Sequence, residues 1–371
     1  MRPKLWQPAR GDRRFWTWLL LGLAVAGCSK ADDRPDPPPA QVKPKVYSGL
    51  FPARQGGKTG YIDRTGEFKI EPKFETAERF AEGLALVAVD GRYGYIDTGG
   101  NFAIEPKYPV PRVRGLRADA YGFSEGLALL RVSGRWVYID RTGKTVIDPA
   151  GAGFDSATDF SEGLAAVESG GKWGYIDQTG KYAIEPRFVQ AEPFREGFAA
   201  VKVSGEKWAF VDPSGRNAFR RTFDYAADFS EGRAHVKVGN SLRASGFINR
   251  AGGTAIEPQF TGAGEFSEGL CTVGYRGSHF FIDRQGKTVI TAEALGAEVS
   301  GVDEFSEGLA LVTRGIDVGR KLGYVDRTGK LALPFEFDAA ESFADGLAFV
   351  KRGETWGYID KSGKFVWTLA D

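Results

Sequence analysis

The sequence predicts an all-β protein made of tandem three-to-four-stranded β-meanders, and three observations carry that prediction. The residue closing a Tyr-Ile-Asp element returns as Asp63, Asp97, Asp140, Asp177, Asp212, Asn249, Asp283, Asp326 and Asp360, at spacings from 34 to 43 residues. A Phe stands three residues before a Gly eight times, from Phe80 and Gly83 to Phe343 and Gly346. Between these marks, apolar runs alternate with Gly, Asp and Pro, which delimit strands. Nine units at this period mean a repeat array whose contacts run between neighbours, so residues 47–371 read as one domain. A propeller-like toroid is preferred over an open β-solenoid. The last unit, with Trp356-Gly357-Tyr358-Ile359-Asp360, lacks the polar cap that an exposed solenoid end needs.

Each unit offers three strands and a link. The first strand, as at Leu84 to Val89 or Leu164 to Val167, is apolar on both alternations, which places it inside the domain. Glycines such as Gly91, Gly134 and Gly170 then turn the chain into the aromatic strand. The Asp ending that strand is followed three residues later by Gly, as in Asp177 and Gly180. This is a tight turn whose carboxylate accepts backbone N–H groups. Asn249 can do the same, so these nine positions read as turn formers, not as general acids or metal ligands. The third strand runs into Ile-Glu-Pro, and the prolines at Pro72, Pro106, Pro149, Pro186 and Pro258 are expected to stop the ladder for want of a donor. The Phe of each link is expected to plug the core between units.

The combination Gly-x-Trp-Gly-Tyr-Ile-Asp, Gly, Ile-x-Pro, Phe and Phe-Ser-Glu-Gly-Leu-Ala resembles the WG repeat, found in tandem in many bacterial proteins, often with export signals. The likeness covers nearly all of residues 47–371. Trp173-Gly174 and Trp356-Gly357 keep both letters, whereas Trp136-Val137, Trp208-Ala209 and His279-Phe280 depart from them. The resemblance implies an all-β scaffold for interaction and supplies no catalytic residue.

The first 27 residues follow other rules. Arg2, Lys4, Arg10, Arg13 and Arg14 precede the apolar run Phe15 to Ala26, which is shorter than the roughly twenty residues of a spanning helix. Residues 1–27 therefore read as a secretion signal. Ala26-Gly27-Cys28 resembles a bacterial lipobox, which implies a lipidated Cys28 as mature N-terminus; an ordinary signal peptide is the alternative. Ser29 next to it implies, by the same resemblance, sorting to the outer membrane. Residues 28–46, rich in Pro from Pro35 to Pro44, form a tether reaching up to about 50 Å. Without the signal, the net charge falls from +1 to about −3, so no basic excess remains to attract nucleic acid over a distance.

Candidate chemistry is sparse. His235 and His279 lie far apart, no phosphate-binding loop is present, and neither a cofactor nor a metal is expected. Cys271 takes a position that is Ala in other units and reads as a small buried residue without a disulfide partner. The acids Glu82, Glu125, Glu162, Glu196, Glu231, Glu268, Glu307 and Asp345 precede the repeat Gly, and each is expected to bond locally to backbone N–H groups or to a base; a cation-binding rim is the alternative. Recognition is assigned to Tyr93, Trp136, Trp173, Trp208 and Trp356, residue types that concentrate binding energy, and to Arg112, Arg114 and Arg117 in the insertion between Tyr108 and Tyr121. A second insertion runs from Thr291 to Glu304. The expected function is a non-catalytic binding or scaffold module for protein or glycan, held at the cell envelope by a lipid anchor alone. The alternative is a periplasmic enzyme acting on cell-wall or other glycan, for which a constellation unique to one repeat would be required.

Overall fold

The computed structural model describes residues 48–110, 120–148, 153–239, 241–296, 298–315 and 319–369. They form nine small antiparallel sheets, one per repeat, arranged around a ring as the blades of a nine-bladed β-propeller. Among the described residues helix is confined to the single turn Ala292–Leu295 and a 3-10 turn at Ser204–Glu206. In blade 4 the strands Ser156–Ala157, Leu164–Ser169, Lys172–Asp177 and Tyr182–Phe188 pair in chain order. The link is thus itself a short strand. It is the inner edge, because links of successive blades converge: Arg195 Nε lies 3.1 Å from the Asp228 carboxylate one blade on.

The seams explain the repeated letters. The Phe of each link packs on the aromatic of the preceding blade, with ring centroids 4.8 to 5.1 Å apart in all eight seams from Tyr61–Phe80 to Tyr324–Phe343. Burying such a ring contributes about 1.5–3 kcal/mol, and the ring pair adds about 0.5–1.5 kcal/mol. The Tyr hydroxyl donates to a carbonyl of the next inner strand, as from Tyr175 to Glu192 O at 2.7 Å. Where a Ser follows the plug, as at Ser124, Ser161, Ser230, Ser267 and Ser306, its hydroxyl does likewise, as from Ser161 to Phe194 O at 2.7 Å.

The outer strand corrects one expectation. Proline does not end the ladder in four blades: Phe68–Phe74, Phe102–Pro109, Tyr182–Phe188 and Thr254–Phe260 continue past Pro72, Pro106, Pro186 and Pro258, while Pro149 lies outside the described residues. Trp173 faces Phe188 while Tyr175 faces Ile184, so the segment around Pro186 arches out of register. It arches over Gly174, where a Cβ would stand 2.5 Å from Ile184 O and 2.7 Å from Pro186 N. The Gly of the repeat is therefore a close-approach residue. Where the outer strand is cut short, at Thr145–Ile147 and Thr288–Ile290, the same position carries Val137 and Phe280.

The ends of the array meet. Phe51 of blade 1 packs on Tyr358 of blade 9 at 5.4 Å, and the Tyr358 hydroxyl donates to Pro52 O at 3.0 Å. Phe51, Ala53 and Ile62 share one apolar cluster with Leu347 and Tyr358. Here the ring that meets the Tyr comes from the strand beside the aromatic one, in the place Ala85 holds in blade 2, and not from a link; the chain closes as a ring and not as an open stack.

Candidate binding face

The ring has two unlike ends. One carries the Glu-Gly turns and the Asp turns, and its acids serve as fasteners. The carboxylate of Glu82 accepts the N–H groups of Glu125 and Gly126 in the next blade at 2.7 and 2.9 Å, and Glu125 does the same for Glu162 and Gly163 at 2.8 Å each. Glu162, Glu196, Glu231, Glu268 and Glu307 each take the Gly N–H one blade further on. The expectation of local bonding is corrected in one respect: the partner lies in the neighbouring repeat. A base directly after the turn Asp often completes the fastening, as Arg141 does for Glu82 and Arg327 for Glu268. All eight acids adopt φ between 51° and 56°, a left-handed conformation that Glu enters at a cost of about 1–2 kcal/mol. The turn Asp behaves as the sequence indicates, with Asp177 Oδ1 accepting from Thr179 N at 2.8 Å and Lys181 N at 3.1 Å.

The opposite end carries the hairpins between second and aromatic strands, and here lie the sequence-assigned aromatics. Tyr93 and Trp173 are half-buried against the clusters that join blades 2 to 3 and 4 to 5. Trp136 faces Tyr121 at 6.0 Å with the Arg131 guanidinium 5.8 Å from its ring. Trp208 is buried, and Trp356 stacks on Phe349 at 5.5 Å. The five occupy equivalent positions in five blades, so each has its own seam and they do not converge on one pocket. The two insertions depart from this same end: one follows the outer strand Phe102–Pro109, the other follows Thr288–Ile290 and contains the single helical turn. Arg112, Arg114, Arg117 and Cys28 lie outside the described residues.

The WG containing repeat model matches residues 60–93, 93–110, 138–173, 173–208, 208–241, 246–277 and 323–356. The chain belongs to the WG containing repeat family. No curated protein matches the sequence significantly. Among solved structures, BamB from Moraxella catarrhalis is similar at 14% identity over 73% of this chain and 92% of its own, with a TM-score of 0.38. Hsv2 from Kluyveromyces lactis gives 12% identity, coverage of 54% and 70%, and a TM-score of 0.37. The WD40 β-propeller domain of Doa1 gives 12%, 62% and 91%, and 0.29.

Inside the WG propeller, the sequence reading missed a run of carboxylates in the inner links, just before the plug Phe. Burial lifts Asp159 to about 6 and Asp228 to about 7, the latter against the nearby Arg195 and with Glu192 and Glu265 adding to the rise. Glu265 is also raised by burial. These positions vary between repeats, as Arg79, Gly122 and Pro193 show, which is why periodicity did not flag them. Cys271 is buried as expected, and burial pushes its thiol well up, which suits packing and not nucleophilic attack. The thiol also stands in for a missing hydroxyl. Phe247 has none with which to reach Gly264 O, and Cys271 Sγ lies 3.4 Å from that carbonyl. His235 is buried between Tyr225 and Phe247, and burial lowers it to about 4. Among the described residues no group of three or more His, Cys, Asp or Glu side chains is arranged to hold a metal ion.

Proposed function

We propose that this WG propeller is a non-catalytic binding or scaffold module of a bacterial cell envelope, tethered through a lipidated Cys28 and recognising protein or glycan at its hairpin end. One observation carries the reading. The repeated carboxylates, tyrosines and serines are committed to joining blades, while aromatic and basic side chains gather where the hairpins and insertions emerge. A surface of that kind suits recognition, since Trp, Tyr and Arg dominate binding energetics. The runner-up, a periplasmic enzyme acting on glycan, would draw on the inner carboxylates of raised pKa, a feature that active sites share with structural networks. Crosslinking pull-down from envelopes, with wild type and an Arg112→Ser, Arg114→Ser, Arg117→Ser variant, tests the module. A partner set lost in the variant supports the insertion as contact, and an unchanged set rejects it. Turnover of cell-wall glycan by the purified domain would overturn the non-enzyme reading.

A further inference from the structure

The repeat gives the ring a charge polarity. Each complete blade places a fastening Glu or Asp at one end, and all but blade 6, where Asn249 takes the turn, add the turn Asp there. At the other, the aromatic strand opens with Lys58, Arg92, Arg135, Lys172 or Lys321 in five blades, and Lys207 directly precedes it in a sixth. Some of these bases meet acids of the links, as Lys207 meets Asp224 and Lys321 meets Asp338. Over blades 6 and 7 that compensation thins: Asp224 is taken up by Lys207 and by the Gly239 N–H at 2.7 Å, and blade 7 has Thr261 at the corresponding place. The hairpin segments 237–244 and 274–279 contain no acid but hold Lys237, Arg243 and Arg276. The Arg243 and Arg276 guanidinium groups lie 4.7 and 5.3 Å from the Tyr275 ring, which places the two hairpins side by side. Neither has a carboxylate partner among the described residues. Beside them Leu242 is 87% exposed and Val238 is 45% exposed.

We propose that this patch is the docking site for an acidic, partly apolar segment of a protein partner, which deepens the binding-module reading and rests on it. A guanidinium lying against an aromatic ring keeps N–H edges free for a carboxylate, and fixing it on the ring lowers the entropy lost on binding. Leu242 and Val238 ask for an apolar side chain, which separates a protein segment from a polyanionic sugar or a nucleic acid. The charge polarity directs such a partner to this end and away from the acidic one.

The test is fluorescence anisotropy of the purified protein with a short fluorescein-labelled peptide alternating Glu and Leu, against its Gln-and-Leu counterpart and heparin. The Glu peptide binds about tenfold more tightly than the Gln peptide, and the preference falls as salt rises. An Arg243→Ser, Arg276→Asn variant removes the preference, Asn being chosen because residue 276 has a φ of 51°. Leu242→Ser weakens both peptides, and Lys181→Ser at the opposite end changes neither. Equal affinity for both peptides, an arginine variant that binds as wild type does, or tighter heparin binding through the same two arginines overturns the proposal. If envelope partners are still captured while the arginine variant keeps its peptide affinity, the module stands and this patch is not its docking site. Unchanged thermal midpoints keep misfolding out of the comparison.

Discussion

Arg64 in the first blade is ion-paired with Asp345 in the last, and the pair does for the closing seam what Arg141 and Glu82 do between blades 2 and 3. The closing fastener is more deeply set: the Asp345 side chain is 8% exposed against 39% for Glu82. A buried charged partner left alone costs about 1–3 kcal/mol, an exposed one about 0–1 kcal/mol. Arg64→Ala, which leaves the buried Asp345 unpaired, is therefore expected to lower the urea midpoint clearly, and Arg141→Ala, which leaves the more exposed Glu82, only slightly. Equal small shifts would show that ring closure does not depend on this pair.

Gly174→Ala tests why the repeat needs its Gly. The added methyl would meet the backbone at Ile184 and Pro186, which cannot give way as a side-chain tip can. A loss of about 1–3 kcal/mol is expected from such overpacking. Gly262→Ala is the control, since no atom lies within 4 Å of its Cβ position and it is not at a positive φ. Denaturant melts that fail to separate the two variants would refute the close-approach account.

Much of the ring was legible because its signals lie within one repeat. The Asp turns, the plug Phe and the buried second strand each follow from contiguous residues and their spacing. What was missed depends on a neighbour. Glu82 reads as a local cap until its donors are found at Glu125 and Gly126, and Pro186 reads as a stop until Gly174 is seen beneath it. The hairpin patch escaped for the opposite reason: Arg243, Tyr275 and Arg276 are irregular, and only the packing of one hairpin on the next unites them.

Lipidation at Cys28 is a separate expectation, drawn from Ala26, Gly27 and the proline-rich stretch that follows. Metabolic labelling with a fatty-acid probe should mark the wild type and not Cys28→Ser. The variant should also leave the membrane fraction on high-salt washing. Equal labelling of both proteins would remove the anchor from the proposed function.

The inner carboxylates make a pH signature that separates them from the turn acids. Asp228, with its side chain 13% exposed, is lifted to about 7, chiefly by burial. A carboxyl raised above its unfolded value destabilises the fold where it must ionise, so its penalty is full above about pH 7 and vanishes below about pH 4. Asp63 has the opposite sign: chiefly through the Thr65 hydroxyl, it is lowered to about 2, so its contribution is present above about pH 4 and lost on falling toward pH 2. His235, lowered by burial to about 4, works against Asp228 between about pH 6.5 and 4, where the unfolded imidazole takes the proton first. Wild-type curves therefore mix several limbs, those of Asp159 and Glu265 included, and the difference between two proteins isolates one. Asp228→Asn is expected to be more stable than wild type at pH 8, with the gain shrinking through pH 6 and gone near pH 4. Urea midpoints at those three values measure it. A loss at pH 8 would mean that Arg195 holds the ionised Asp228 more firmly than burial opposes it, and a gain that does not change with pH would remove the ionisation of Asp228 as its cause.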